Sequence, residues 1–189
     1  MPPLLHEQRT QEWLDARRGK VTASLAAACL GLDPYTSPKM AWKKISGLVD
    51  NELQNRHMQW GVQFEAKARL DYEVESGNFV ETTGLWVHPT CEWLAASPDG
   101  LIGADGLCEI KCPTDTPPRV PIHHRIQMLI QLACTERAWC DYYAWAGPQK
   151  TLLRRVYRAG LPGLICRLKS FYETYVLTGT EPPRRKRKS

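Results

Sequence analysis

Nineteen residues, Ala95 to Pro113, constrain this chain more than any other stretch: Ala-Ala-Ser-Pro-Asp-Gly-Leu-Ile-Gly-Ala-Asp-Gly-Leu-Cys-Glu-Ile-Lys-Cys-Pro. Pro98 and Gly100 bracket Asp99 in a turn, because proline sets its own backbone angle and glycine permits the left-handed one. The carboxylate is therefore expected at the end of a short apolar strand. Leu107 to Lys111 then reads as a second strand. Side chains alternate across a strand, so Glu109 and Lys111 share one face while Cys108, Ile110 and Cys112 share the other. A turn carboxylate, a strand carboxylate and a lysine can thus converge.

Two hard carboxylate oxygen donors at one point suit Mg²⁺, with Mn²⁺ as a substitute, since such ions keep several waters and take one or two protein carboxylates. A cation there polarises a phosphoryl oxygen and lowers the pKa of water. Lys111 beside that water would orient it and offset charge on a scissile phosphate. The alternative is structural: Asp99 caps a turn, and Glu109 pairs with Lys111 on a solvated strand face, worth roughly 0–1 kcal/mol. The proline turn and the apolar opposite face together favour phosphodiester hydrolysis.

Composition narrows the class. At 189 residues the chain fits one domain with a substantial core, expected over 1–181, followed by a disordered basic tail over 182–189. No stretch has the length of apolar sequence that a membrane span needs, and the first residues do not read as a leader, so a cytoplasmic protein is expected. Seven cysteines, an odd number, read as free thiols of a reducing compartment, and Cys108 and Cys112 lack zinc-ribbon spacing. The net charge of +5 is local. Arg184 to Lys188 carry five positive charges, leaving 20 basic against 20 acidic residues elsewhere. A nucleic acid must therefore meet a local patch on a neutral body.

In chain order, an amphipathic helix is expected over 8–17, broken by Gly19. Thr22 or Ser24 would cap the next helix, and Arg17 with these hydroxyls could hold a phosphate or form an ordinary cap. A short helix follows from Pro38 to Gly47. The longest runs from Leu53 to Ser76, with Trp60, Phe64, Ala68 and Tyr72 as its buried stripe and Glu65 at the stripe's edge. Phe79 to His88, Trp93 to Ala96, Ala138 to Ala146 and Leu152 to Tyr157 read as strands. A loop spans Pro113 to Pro121. The helix over 122–134 places Gln127 and Gln131 on one face, where the amides could touch water at the metal, touch the DNA backbone, or be solvated. An amphipathic helix from Leu161 to Tyr175 closes the fold.

Arg17-x-Gly19-x-Val21-Thr22-Ala23-Ser24, Trp60-Gly61-x-x-Phe64-Glu65, Ser97-Pro98-Asp99-Gly100, Glu109-Ile110-Lys111-Cys112-Pro113 and the Gln127 helix followed by Trp139 occur in that order. This series resembles the bacteriophage lambda exonuclease (YqaJ-type) branch of the PD-(D/E)XK nucleases, over about residues 12 to 146. The resemblance implies an α/β fold with a central mixed β-sheet flanked by α-helices. It implies that Asp99, Glu109 and the Ile110 carbonyl hold Mg²⁺, two ions in all, with Glu65 reaching them through water. Lys111 would act on the nucleophilic water, and Gln127 would help position the scissile region. Arg17, Ser24 and Thr22 would take a 5′-phosphate, and Gln131 would contact DNA. The family's Gln-x-Gln is broken here by Leu129, which leaves the active glutamine open.

The resemblance further implies 5′-3′ digestion of one strand of double-stranded DNA from its ends by a ring-shaped trimer. A single-strand annealing protein would be the partner, in phage- or prophage-encoded recombination within a bacterium. Two rivals remain: a structure- or sequence-specific endonuclease with the same core, and an inactive DNA-binding scaffold.

Overall fold

The computed structural model describes residues 8, 10–49 and 56–183, and of residues 56–62 the backbone alone. The first helix, α1 (Gln11–Arg17), starts where the Thr10 hydroxyl accepts the Trp13 N–H at 3.3 Å. Gly19, at φ +70°, turns the chain into the short strand β1 (Val21–Thr22) and helix α2 (Ala23–Cys29). Thr22 occupies the N-cap position of α2 but makes no capping bond. Its hydroxyl is drawn sideways to Ser24 and Arg17, a difference from the expected cap. Ser37 does cap α3 (Pro38–Ile45), accepting from the Met40 N–H, with Pro38 in the first turn where its missing donor costs nothing.

Helix α4 (Arg56–Ser76) carries Ala68 and Tyr72 fully buried and Phe64 stacked on Trp145. The start expected at Leu53 and the side chain of Trp60 lie outside the described residues. The strand expected over Phe79–His88 forms only at its end, as β2 (Trp86–His88). Upstream, Glu81 makes a single bridge to Leu101, and the Val80 N–H goes to Glu73 Oε1 at 2.8 Å. With Gly84 in between, the apolar residues there are anchored one at a time and form no continuous ladder.

Strands β3 (Cys91–Ala96), β4 (Gly100–Ile102), β5 (Gly106–Lys111), β6 (Trp139–Trp145) and β7 (Thr151–Tyr157) complete the β structure. Hydrogen bonding divides the strands into two mixed sheets, β1-β3-β2 and β4-β5-β6-β7. β1 is parallel to β3 and β5 is parallel to β6, while the other neighbours are antiparallel. The chain passes from one sheet to the other through Ser97-Pro98-Asp99, where proline supplies no ladder donor. The Asp99 turn is therefore the seam between the sheets.

Alternation on β5 and β6 assigns their faces. Cys108, Ile110, Tyr143 and Trp145 pack with Ala68 and Tyr72 of α4. Leu107, Cys140, Tyr142 and Ala144 pack with Met128 and Leu132 of α5 (Ile122–Thr135). β5 is thus covered on both faces. A third cluster joins α2 and α3 to β3, α5 and α6 (Leu161–Phe171), which continues into a π-helical turn over Tyr172–Val176. Gly106 permits one close approach: a Cβ there would come within 2.3 Å of the Trp139 ring. The expected basic tail falls mostly on 184–189, outside the described residues; Pro182 and Pro183 have no regular structure. Among the described residues no helix is long and apolar enough to cross a membrane. All seven cysteines are free thiols.

Candidate active site

The Asp99 turn and the end of β5 are tied by one bond: the Ile110 N–H donates to Asp99 Oδ2 at 2.7 Å. That bond brings the turn carboxylate against Glu109 and Lys111. Glu109 is completely buried, which excludes the solvated ion pair considered from sequence. Its carboxylate is gripped from α5, where Gln127 Nε2 donates to Oε1 at 2.6 Å and Gln131 Nε2 donates to Oε2. Lys111 also pairs with Oε1, keeping 30% of its side-chain surface exposed.

His124, Gln127 and Gln131 fall at helical spacing on the face of α5 that meets β5 and β6, so the helix acts as a rack of polar groups inside an otherwise apolar layer. The two glutamines do not share one role. Gln131 is fully buried, with its amide on Glu109 and its carbonyl facing the Cys140 thiol at 3.9 Å. It has no surface to offer DNA, which corrects the DNA contact expected of it. Gln127 is only partly buried.

The electrostatics favour a cation. Asp99 is raised well above the ordinary carboxylate range, first by burial, then by repulsion from Glu109, with Glu65 of α4 adding to it and Lys111 opposing. Neighbouring carboxylates raise Lys111 despite its burial, so it stays an ammonium. Three acids against one ammonium leave a local negative excess, and the donors are hard oxygens. These residues fit a divalent ion of the Mg²⁺ type. Asp99, Glu109 and the Ile110 carbonyl would hold it. Glu65 does not close with them into a three-ligand cluster; among the described residues no group of three such side chains does.

A second polar group lies at the same end of β3. β1 runs beside β3 with Thr22 opposite Ala95, four residues before Asp99. The Arg17 guanidinium lies over the Trp13 ring at 3.9 Å and reaches the hydroxyls of Thr22 (3.4 Å) and Ser24 (3.3 Å). Trp13 is itself anchored by its indole N–H on Ser97 Oγ at 3.0 Å. Burial lowers Arg17 to about 10, so it remains charged at neutral pH, and its described contacts are aromatic and hydroxyl groups only. A partly desolvated cation with no carboxylate partner among the described residues favours an anion beside it.

Sequence reasoning missed His124 and Tyr142. Tyr142 lies across from Glu109 in the β5–β6 register and its hydroxyl meets His124 Nδ1 at 3.0 Å. The adjacent His123–His124 pair was a signal in the sequence, but only the β6 register shows what it faces. Burial, Lys111 and His123 lower His124 to about 2. A folded value below the unfolded one of about 6.5 means that protonation favours the unfolded chain. Stability from this group is complete above about pH 6.5 and is lost as pH falls toward the folded value. Melting curves from pH 7 to pH 4.5 should therefore fall more steeply for wild type than for His124→Asn. Parallel curves would refute the assignment.

Residues 12–138 match the YqaJ-like viral recombinase domain. The chain belongs to this family. An alkaline exonuclease from Laribacter hongkongensis, LHK-Exo, shares 32% sequence identity and superposes with a TM-score of 0.74, over 89% of this chain and 95% of that one. Its complex with dAMP matches at 33% identity and a TM-score of 0.71, over 91% of this chain and 93% of that one. A phage-related exonuclease from Haemophilus somnus shares the fold at 13% identity, with a TM-score of 0.59 over 88% of this chain and 99% of that one. The YqaJ-like chain therefore has the PD-(D/E)XK architecture. A protein of Acanthamoeba polyphaga mimivirus is 26% identical over 156 residues, 72% of this chain, which spans 28% of that relative's length.

Proposed function

We propose that this YqaJ-like protein is a Mg²⁺-dependent exonuclease that digests one strand of duplex DNA from 5′-phosphorylated ends. The observation that carries the reading is the half-buried Asp99 set against the fully buried Glu109, with Lys111 on it, and the separate polar group at Arg17. A divalent ion bound there supplies Lewis-acid polarisation of the phosphodiester and a lowered water pKa. The residues supply the rest. Lys111 orients the attacking water and offsets charge growing on the phosphate. Gln127 and Gln131 fix the Glu109 carboxylate so that it does not reorganise during reaction. Arg17, Ser24 and Thr22 take the terminal 5′-phosphate, placing the next phosphodiester at the carboxylates. Water forms the new P–O bond, the 3′-oxygen leaves, and a 5′-mononucleotide is released, the product class of the dAMP bound to LHK-Exo.

The family likeness supports a place in recombination by single-strand annealing, a ring-shaped trimer and an annealing-protein partner. Chain length supports one nuclease domain over 1–181, and the run of Arg and Lys over 184–188 supports a basic tail that attracts DNA. One assay tests the core of the reading. Linear 5′-phosphorylated, linear 5′-hydroxyl and closed circular duplexes are incubated with and without Mg²⁺. Rapid Mg²⁺-dependent loss of the phosphorylated linear form, with the circle intact, is expected; nicking of the circle would indicate an endonuclease. Arg17→Ala should shrink the preference for phosphorylated over hydroxyl ends by about 10- to 100-fold, the loss of one charge-assisted contact. An unchanged preference would place the 5′-phosphate elsewhere.

A further inference from the structure

Four rings form a continuous series from the site to the surface. Tyr142 lies across from Glu109 on β6 and bonds His124, its ring centroid 5.5 Å away. His124 meets His123 at 4.1 Å, and His123 meets Tyr35 in a T-shaped contact at 5.8 Å and 85°. Tyr35 is 87% exposed, so its ring faces are open to solvent.

A large aromatic ring in water is ordinarily mobile, but this one stands on a prepared backbone. Asp33 Oδ1 accepts both the Tyr35 N–H (2.6 Å) and the Thr36 N–H (2.9 Å), and His123 braces the ring from α5. The register that sets Tyr142 across from Glu109, with His124 bonded to its hydroxyl, places the inner part of the series beside the proposed scissile position. We propose that Tyr35 is a stacking platform for an unpaired nucleobase of the strand being digested. The inner rings set its distance from the carboxylates. Every base has a π-face, so such a contact tolerates all sequences, as an end-degrading enzyme requires. A nucleobase suits this position better than a protein side chain because the series ends at the carboxylates and not on an apolar patch.

The proposal rests on the nuclease reading, and the experiment separates the two. Duplexes carrying 2-aminopurine at one of the first three nucleotides are bound in EDTA, and fluorescence quenching reports stacking without hydrolysis. Wild type should quench one position, Tyr35→Phe and Tyr35→Trp should retain the effect, and Tyr35→Ala should lose it. Tyr157, 64% exposed at the opposite end of the β6–β7 hairpin, serves as control. In Mg²⁺, Tyr35→Ala should raise KM about 5- to 100-fold, the loss of one base–aromatic stack. An abasic nucleotide at the quenched position should weaken wild type by a similar factor and have no further effect on Tyr35→Ala. Equal quenching by Tyr35→Ala and Tyr157→Ala would overturn the proposal, as would an equal abasic effect in wild type and Tyr35→Ala. A changed oligomeric state in Tyr35→Ala with unchanged quenching would also overturn it, assigning Tyr35 to a subunit contact. If wild type quenches yet cleaves no DNA, the platform stands and the nuclease reading falls.

Discussion

Asp99→Asn is expected to lose at least about 10³-fold of Mg²⁺-dependent DNA hydrolysis and yet to melt higher than wild type. The loss follows because the amide cannot serve as an anionic ligand. The gain follows from the surroundings of Asp99. Burial and Glu109 hold its carboxyl well above the ordinary range, so at neutral pH the ionised group is penalised in the fold. Asparagine keeps an oxygen for the Ile110 N–H and removes the charge. Each kcal/mol so relieved appears as roughly 2–4 °C in a chain of this size.

The sign of the pH effect is also determined. A carboxyl whose folded value lies above its unfolded one contributes stability below the unfolded value, which is lost as pH rises through the folded value. The advantage of Asp99→Asn in EDTA should therefore narrow as pH falls toward 4. Glu109→Ala makes the contrast: equally inactive, it should melt lower, because Gln127, Gln131 and Lys111 lose their shared acceptor. If both variants moved stability in the same direction, the view of the pair as a charge cluster awaiting a cation would fail.

Arg155→Ala should cost about 2–4 kcal/mol in urea unfolding while leaving hydrolysis per folded molecule intact. Breaking a fully buried ion pair costs about 3–5 kcal/mol, reduced here because the guanidinium is 39% exposed. Asp141 is 2% exposed and takes Arg155 through two parallel bonds, 2.7 and 2.9 Å, with Tyr72 donating a third at 2.9 Å. The guanidinium also covers the Trp139 ring at 3.6 Å. Removing it strands the carboxylate against α4. Arg155→Lys should rescue little, since an ammonium cannot reproduce the planar fork, whereas Arg155→Ala combined with Asp141→Asn should regain most of the loss. A cost below about 1 kcal/mol would mark the pair as an ordinary surface contact.

These two effects differ in how far they could be read from sequence. The Asp99 turn, the strand ending at Lys111 and their convergence were legible because both are local: a proline-glycine turn and period-2 alternation act over a few residues. The helices carrying Gln127 and Tyr72 were legible from apolar periodicity for the same reason. The strand expected over Phe79–His88 was not, because pairing depends on which edge the tertiary fold leaves free, and only Trp86–His88 reaches one. The Asp141–Arg155 pair likewise depends on the β6–β7 register, and the sequence reads Gln131 as a DNA contact until α5, laid on β5, buries it against Glu109.

By itself, then, the sequence determined which chemistry the chain carries: two acids and a lysine in the right local frames, and an arginine ahead of two hydroxyls. The tertiary structure alone decided how those groups are poised. It buried Glu109 and gave it two amide donors, isolated Arg17 from any described acid, and aligned Tyr142, His124, His123 and Tyr35 into a path out of the site. The physical reason is range. Turn and strand preferences are settled by neighbours along the chain, whereas burial and charge balance are sums over residues that only folding brings together.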